Sequence, residues 1–219
     1  MQKKFALTNE TRVFGNHTLY RIKALKDFAD VKADDLGGFI EKEDNLSHEG
    51  NCWVYDDALV FKNGHVYENA KVFGNAIVAG YVYGNAHVNG SARVLADAHI
   101  YDHAHVSYDA TVFSYARVYG HAKVSGLACI YSHAKIYNYA VINGRAKIYG
   151  KVYGNACVSG SCEIYGSVYG NAKISYCATI WGRAYGNAKI NKKSKVRLVP
   201  KNCEVYERDN VVNITDKTE

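Results

Sequence analysis

The chain has 219 residues, among them 19 tyrosines and 19 glycines against one proline and one methionine, and a net charge of +6 at pH 7. That balance favours strands and tight turns over helices. No run of about 18 apolar residues exists to span a membrane, and Met1-Gln-Lys-Lys-Phe5 leads into polar sequence without the apolar core of a secretory leader. The six cysteines form no C-x-x-C pair or regular framework. They are expected to be free thiols in a reducing compartment, which points to a cytoplasmic protein.

Charge is unevenly spread. Residues 1–59 carry 8 Lys/Arg and 11 Asp/Glu, residues 60–197 carry 16 and 5, and residues 198–219 carry 3 and 5. The body is therefore basic between two acidic ends, an asymmetry that suits a polyanionic partner and also suits a merely solvated face.

Taken in order, residues 1–53 do not repeat. Phe5–Thr8 and Thr18–Leu25 read as strands around a Gly15-Asn16 turn, and Gly37-Gly38 breaks the chain before Phe39. A solenoid leaves an open core and unpaired backbone groups at each end, so this segment is expected to be an N-terminal cap.

Residues 54–197 repeat in sixes, typified by Val118-Tyr-Gly-His-Ala122-Lys123. Strand alternation turns the fifth residue and the next unit's first residue inward, and positions three and four turn a corner. Three units make a coil, with coils starting at Val60, Val78, Val94, Val112, Ile130, Ile148, Ile164 and Ile180 and the last closing at Lys195. The predicted fold is all-β, a single-stranded parallel β-helix of about eight coils of 16–18 residues, followed by a C-terminal cap or tail over 198–219. Four units are cut to four residues: Val78–Tyr81, Ile148–Lys151, Ile164–Ser167 and Ile180–Arg183. Losing two residues preserves the in/out alternation. Glycine stands third in each, where a sharper corner needs permissive dihedrals or no Cβ. The many Gly-Asn pairs also fall at corners, where both residues readily adopt positive φ.

One outward column consists of Tyr67, Tyr83, Tyr101, Tyr119, Tyr137, Tyr153, Tyr169 and Tyr185, at intervals of 16 or 18 residues. Beside it run His65, Tyr81, His99, Arg117, Lys135, Lys151, Ser167 and Arg183. A second sheet carries Phe113, Tyr131, Tyr149, Tyr165 and Trp181, and a third carries a Ser/Asn column beside Lys71, His87, His105, Lys123, Lys173 and Lys189. A tyrosine column stiffens a sheet by stacking. It also serves as a contact surface, since Tyr and Arg favour interfaces and aromatics among cations suit single-stranded nucleic acid.

The hexads from Val54 to Val196 resemble the left-handed β-helix of the hexapeptide-repeat superfamily, best known from acyltransferases. Asp27-Phe-Ala-Asp-Val-Lys32, Gly37-Gly-Phe39 and Asn45-Leu-Ser-His-Glu-Gly-Asn-Cys-Trp-Val54 resemble the cap of YdcK-like proteins, which are frequent in phages and prophages and labelled acyltransferase or polymer-forming protein. The resemblance implies a left-handed coil, a phage or prophage accessory gene and, in that setting, the host cytoplasm.

Enzymes of that superfamily generally use a histidine as general base near a subunit interface. His87, His99, His103, His105, His121 and His133 are the candidates, and His103 and His121 share a turn position in consecutive coils. No loop is inserted between hexads to build an acceptor pocket, and no P-loop, nucleophile-elbow or H-E-x-x-H motif occurs. The sequence reading is therefore a non-enzymatic interaction or scaffold protein that needs no cofactor, with no catalytic or metal residues assigned. Tyr83, Tyr101, Tyr119, Tyr137, Tyr153, Tyr169, Tyr185, Arg117, Lys135, Lys151 and Arg183 form its binding surface. The expected partner is a protein, a copy of the chain included, so a homo-oligomer is anticipated. Nucleic acid is the further option, and an anti-defence role against a host component is one outcome. The alternatives are a CoA-dependent acyltransferase and a self-assembling structural protein.

Overall fold

Valine or isoleucine at the first position of each unit and alanine at the fifth dictate the architecture of the computed structural model, which describes residues 3–214. In the central coils Val118, Val124 and Ile130, with Ala122, Ala128 and Ala134, are fully buried. Each contributes a methyl-sized or branched side chain to a narrow core with three walls. The strands are two residues long, as in Arg117–Val118, Lys123–Val124 and Cys129–Ile130. Such short strands are held by the coil ahead: Arg117 N donates to Ala134 O, and Tyr119 N to Ile136 O, both at 2.9 Å. The result is a β-solenoid of parallel sheets, with one short 3-10 turn at Glu43–Asn45.

Register survives the changes of coil length. Tyr81 pairs with His99, His99 with Arg117, Arg117 with Lys135 and Lys135 with Lys151. Two-residue deletions therefore leave every column intact. In the short corners glycine is required for space rather than for φ. A Cβ on Gly150 would fall on the carbonyl of Gly166, and one on Gly166 on that of Gly182. Full corners work differently. The third residue takes positive φ, as in Glu68 (58°), Gly84 (67°), Asp102 (56°) and Asn138 (58°). The fourth does not: Asn69, Asn85 and His103 are absent from that region. The expectation that both residues of a Gly-Asn corner turn left-handed is thus corrected, because one left-handed residue suffices to change direction.

The first fifty residues build β1 (Phe5–Phe14), β2 (His17–Ala24) and β3 (Leu36–Ile40). β1 and β2 are antiparallel around Gly15, as are β2 and β3. β3 then pairs in parallel with the solenoid, Phe39 opposite Leu59 and Ile40 opposite Val60. Phe5, Ile22, Ile40 and Leu46 share one continuous core with Val54, Val60 and Val66. Lys4 is drawn into this junction, its ammonium held by Cys52 O at 2.9 Å and Cys52 Sγ at 3.2 Å. Burial pushes the Lys4 ammonium pKa down and the Cys52 thiol pKa up.

At the other end the chain adds a ninth coil beyond Lys195, where the hexads stop. Leu198–Val199 pairs with Thr179–Ile180, and Glu204–Val205 with Arg183–Ala184. Cys203–Arg208 then folds back antiparallel against Val211–Asn213. Residues 215–219 of the tail lie outside the described residues. Among the described residues no helix is long and apolar enough to cross a membrane, and all six cysteines are free thiols.

Candidate functional site

The tyrosine column is a stack of parallel rings. From Tyr67 to Tyr185 the seven centroid spacings lie between 4.7 and 5.0 Å and the planes within 8° of parallel. Every tyrosine of the ladder is half-buried. From Tyr83 to Tyr169 both faces of each ring are covered by the parallel neighbours above and below, so what solvent meets there is a row of ring edges and hydroxyls. The pKa of Tyr101 is pushed up to about 12, first by desolvation and then by Tyr119 and Tyr83. Tyr83, Tyr119, Tyr137 and Tyr169 shift upward for the same leading reason.

The neighbouring column alternates with the ladder and changes character along the axis. At its start His99 stacks on Tyr81 at 4.7 Å and meets Tyr83 edge-on at 6.0 Å. Burial, followed by the nearby Arg117, lowers the His99 pKa. Arg117, Lys135 and Lys151 then stand directly opposite one another on consecutive coils. None of the three makes an ion pair among the described residues. No Asp or Glu occupies an outward position on this face from His65 to Tyr185. The corner acid Asp102 accepts a hydrogen bond from the Gly120 N–H at 3.0 Å. Arg183 sits further along, opposite Glu204.

The sequence-derived surface residues therefore do share one face. The structure adds Tyr206, which continues the ladder past its eighth tyrosine, 5.3 Å from Tyr185 but tilted by 59°. No hexad marks Tyr206, so the period could not find it. The second aromatic column is also a stack, with Tyr131, Tyr149, Tyr165 and Trp181 successively 4.7, 4.8 and 3.9 Å apart. His103 and His121 lie face to face at 4.9 Å, and Tyr139 continues them at 5.1 Å. Two parallel imidazole rings, exposed at a corner, form a stack rather than a convergent ligand pair. No group of three or more His, Cys, Asp or Glu suited to a metal ion occurs among the described residues.

One feature was not legible from the repeat. The loop after β2 lays Asp30 over the start of the third sheet, where it accepts hydrogen bonds from Lys71 at 2.7 Å and from Tyr55 Oη at 3.0 Å. With Asp56, Phe73 and His87 these residues line a shallow recess of about 300 Å3. Lys71 is paired with Asp30 there, and Asp56 accepts a hydrogen bond from the Gly74 N–H at 2.8 Å.

No protein-family model matches the chain. Over 68 residues it is 41% identical to the uncharacterized acetyltransferase YdcK of Escherichia coli (strain K12). That stretch is 27% of this chain and 21% of the relative, so the match spans about a fifth of the relative's length. Together with the solenoid, this local similarity fits a hexapeptide-repeat β-helix.

Proposed function

We propose that the protein is a non-enzymatic binding solenoid that docks an acidic macromolecular partner on its tyrosine-laddered face. One observation carries this reading: Arg117, Lys135 and Lys151 are stacked in register, without ion pairs among the described residues, on a face with no outward acid from His65 to Tyr185. Like charges set directly opposite each other destabilise a sheet, and a partner supplying anions removes that cost. In this reading the protein is a phage or prophage accessory protein with a left-handed coil, as the cap resemblance implies, and its partner is a host macromolecule, a defence component included. A second copy presenting the same face would set cations against cations, so self-association would use another surface. The test is capture of partners from host lysate, with and without nuclease, by wild type and by Arg117→Glu/Lys135→Glu/Lys151→Glu. A discrete partner retained in full by the variant would remove this face from the account.

A second reading, a CoA-dependent acyltransferase, is favoured by the local match to a protein named as an acetyltransferase. It predicts saturable acetyl-CoA binding by calorimetry, and no heat at millimolar ligand would eliminate it.

A further inference from the structure

Resting on the reading of this face as a docking surface, we infer that its partner is an acidic α-helix laid along the solenoid axis. That helix presents one carboxylate per turn to Arg117, Lys135 and Lys151. Binding of single-stranded nucleic acid relies on bases stacking on open aromatic faces. Here each ring between Tyr83 and Tyr169 has both faces covered by parallel neighbours at 4.8–5.0 Å. Only edges and hydroxyls are left, and these donate hydrogen bonds to an anion without gripping a base.

The remaining discriminator is the repeat. Cations on consecutive coils follow the strand spacing of roughly 4.8 Å, so the three span on the order of 10 Å. An α-helix advances about 5.4 Å per turn, which puts side chains at i, i+4 and i+7 on one face over about 10.5 Å. That misfit is well within the freedom of long Lys and Arg side chains. An extended strand presents same-face side chains about 6.7 Å apart, or roughly 13 Å for three, and loses register by the third cation. The neutral phenol edges of Tyr119, Tyr137 and Tyr153 lie beside the cations and hydrogen-bond to the same carboxylates or to neighbouring Gln and Ser. The helix-in-groove mode of recognition supplies the general precedent for such one-face reading.

The experiment compares three fluorescent probes by anisotropy against the full chain. One is a capped, Ala-rich helical peptide with Glu at i, i+4, i+7 and i+11. The second is an isomer of identical composition with the Glu residues spread around the helix. The third is an oligo-dT of matching charge. The one-face peptide is expected to bind about tenfold more tightly than its isomer, to weaken as salt rises, and to be lost in Arg117→Glu/Lys135→Glu/Lys151→Glu. Arg117→Gln/Lys135→Gln/Lys151→Gln, which carries no new acids, should weaken it to a lesser degree. Equal affinity for the isomer, or tighter binding of oligo-dT, would overturn the helix while leaving the basic face in place. One-face binding untouched by both triple variants would overturn the face itself, and no binding of any probe would overturn both.

Discussion

The ring of Tyr206 lies across Gly186, where a β-carbon would run into its Cδ2 and Cε2. The same ring abuts Tyr185 at 5.3 Å but tilts by 59°, so the run of parallel stacking stops there. The parallel run thus ends at Tyr185, against a tilted ring in the hairpin that follows the last repeat.

Replacing Gly186 tests that ending. Its φ of 57° is strained for any other residue here, and the added carbon displaces Tyr206. Gly186→Ala is expected to cost about 1–3 kcal/mol, concentrated in the C-terminal hairpin. Hydrogen exchange should quicken at Cys203–Arg208 while amides of the central coils keep their protection. Uniform loss of protection across all coils would refute a local role for the Tyr206–Gly186 contact.

Within the ladder, Tyr119 contacts Tyr101 at 4.9 Å and Tyr137 at 5.0 Å, both nearly parallel. Tyr119→Ser removes both contacts and is expected to lower stability by about 1 kcal/mol, read as a shift of the urea midpoint. Tyr115 is exposed at a corner and, among the described residues, stacks on His133 alone, so Tyr115→Ser should shift the midpoint by less than half as much. Equal effects would show that the parallel column adds nothing beyond ordinary surface contact.

These contrasts also mark how far the sequence could be read. Spacings of 16 and 18 between tyrosines disclose the coil, its columns and its register, because a two-residue change preserves alternation and every inward Ala and Val stays inward. Periodicity says which residues share a column, but not how their rings lie. That Tyr101 shows an edge rather than a face depends on its stacking against Tyr83 and Tyr119. The ninth coil escaped notice because Lys192–Arg197 breaks the hexad before Leu198–Val199 rejoins the sheet. The grip of Asp30 on Lys71 and Tyr55 is a contact across 41 and 25 residues between a nonrepeating loop and the solenoid. No local pattern encodes it.

Alkaline pH offers a readout of the buried phenols. The folded-state pKa of Tyr101 is raised from the ordinary 10.0 to about 12, and burial raises those of Tyr83, Tyr119, Tyr137 and Tyr169. A group with a raised folded pKa contributes its full stability below the unfolded value, and that stability is lost as pH rises through the folded one. The contribution of Tyr101 should therefore persist to about pH 10 and be lost between roughly pH 10 and 12. Phenolate absorbance should keep rising above pH 10 as the desolvated phenols of Tyr83, Tyr101, Tyr119, Tyr137 and Tyr169 ionise late. The sign reverses on the acid side: burial lowers the pKa values of His87, His99 and His105. Their contribution is present above the unfolded histidine pKa and fades as pH falls through the depressed folded values. Simultaneous ionisation of all tyrosines near pH 10 would contradict the covered ladder.

Lys135 is flanked by Arg117 on one coil and Lys151 on the next, and this arrangement makes a claim about stability as well as binding. Three like charges at strand spacing repel one another with nothing opposite them, a cost of about 0.2–1 kcal/mol in a sheet. A fold selected for stability alone would set a Glu opposite such a cation, as Glu163 stands opposite Lys147 on the second sheet at 3.1 Å. Lys135→Gln removes the central charge and both repulsions, so it should stabilise the free protein by about 0.5 kcal/mol, with the gain shrinking as salt screens the column. The same substitution should weaken any partner that reads the face. Thermal melts at low and high salt measure the first effect, and affinity for the one-face acidic peptide measures the second. A Lys135→Gln variant that melts lower than wild type at low salt would show that Lys135 supports the fold directly, and the tension between stability and recognition on this face would disappear.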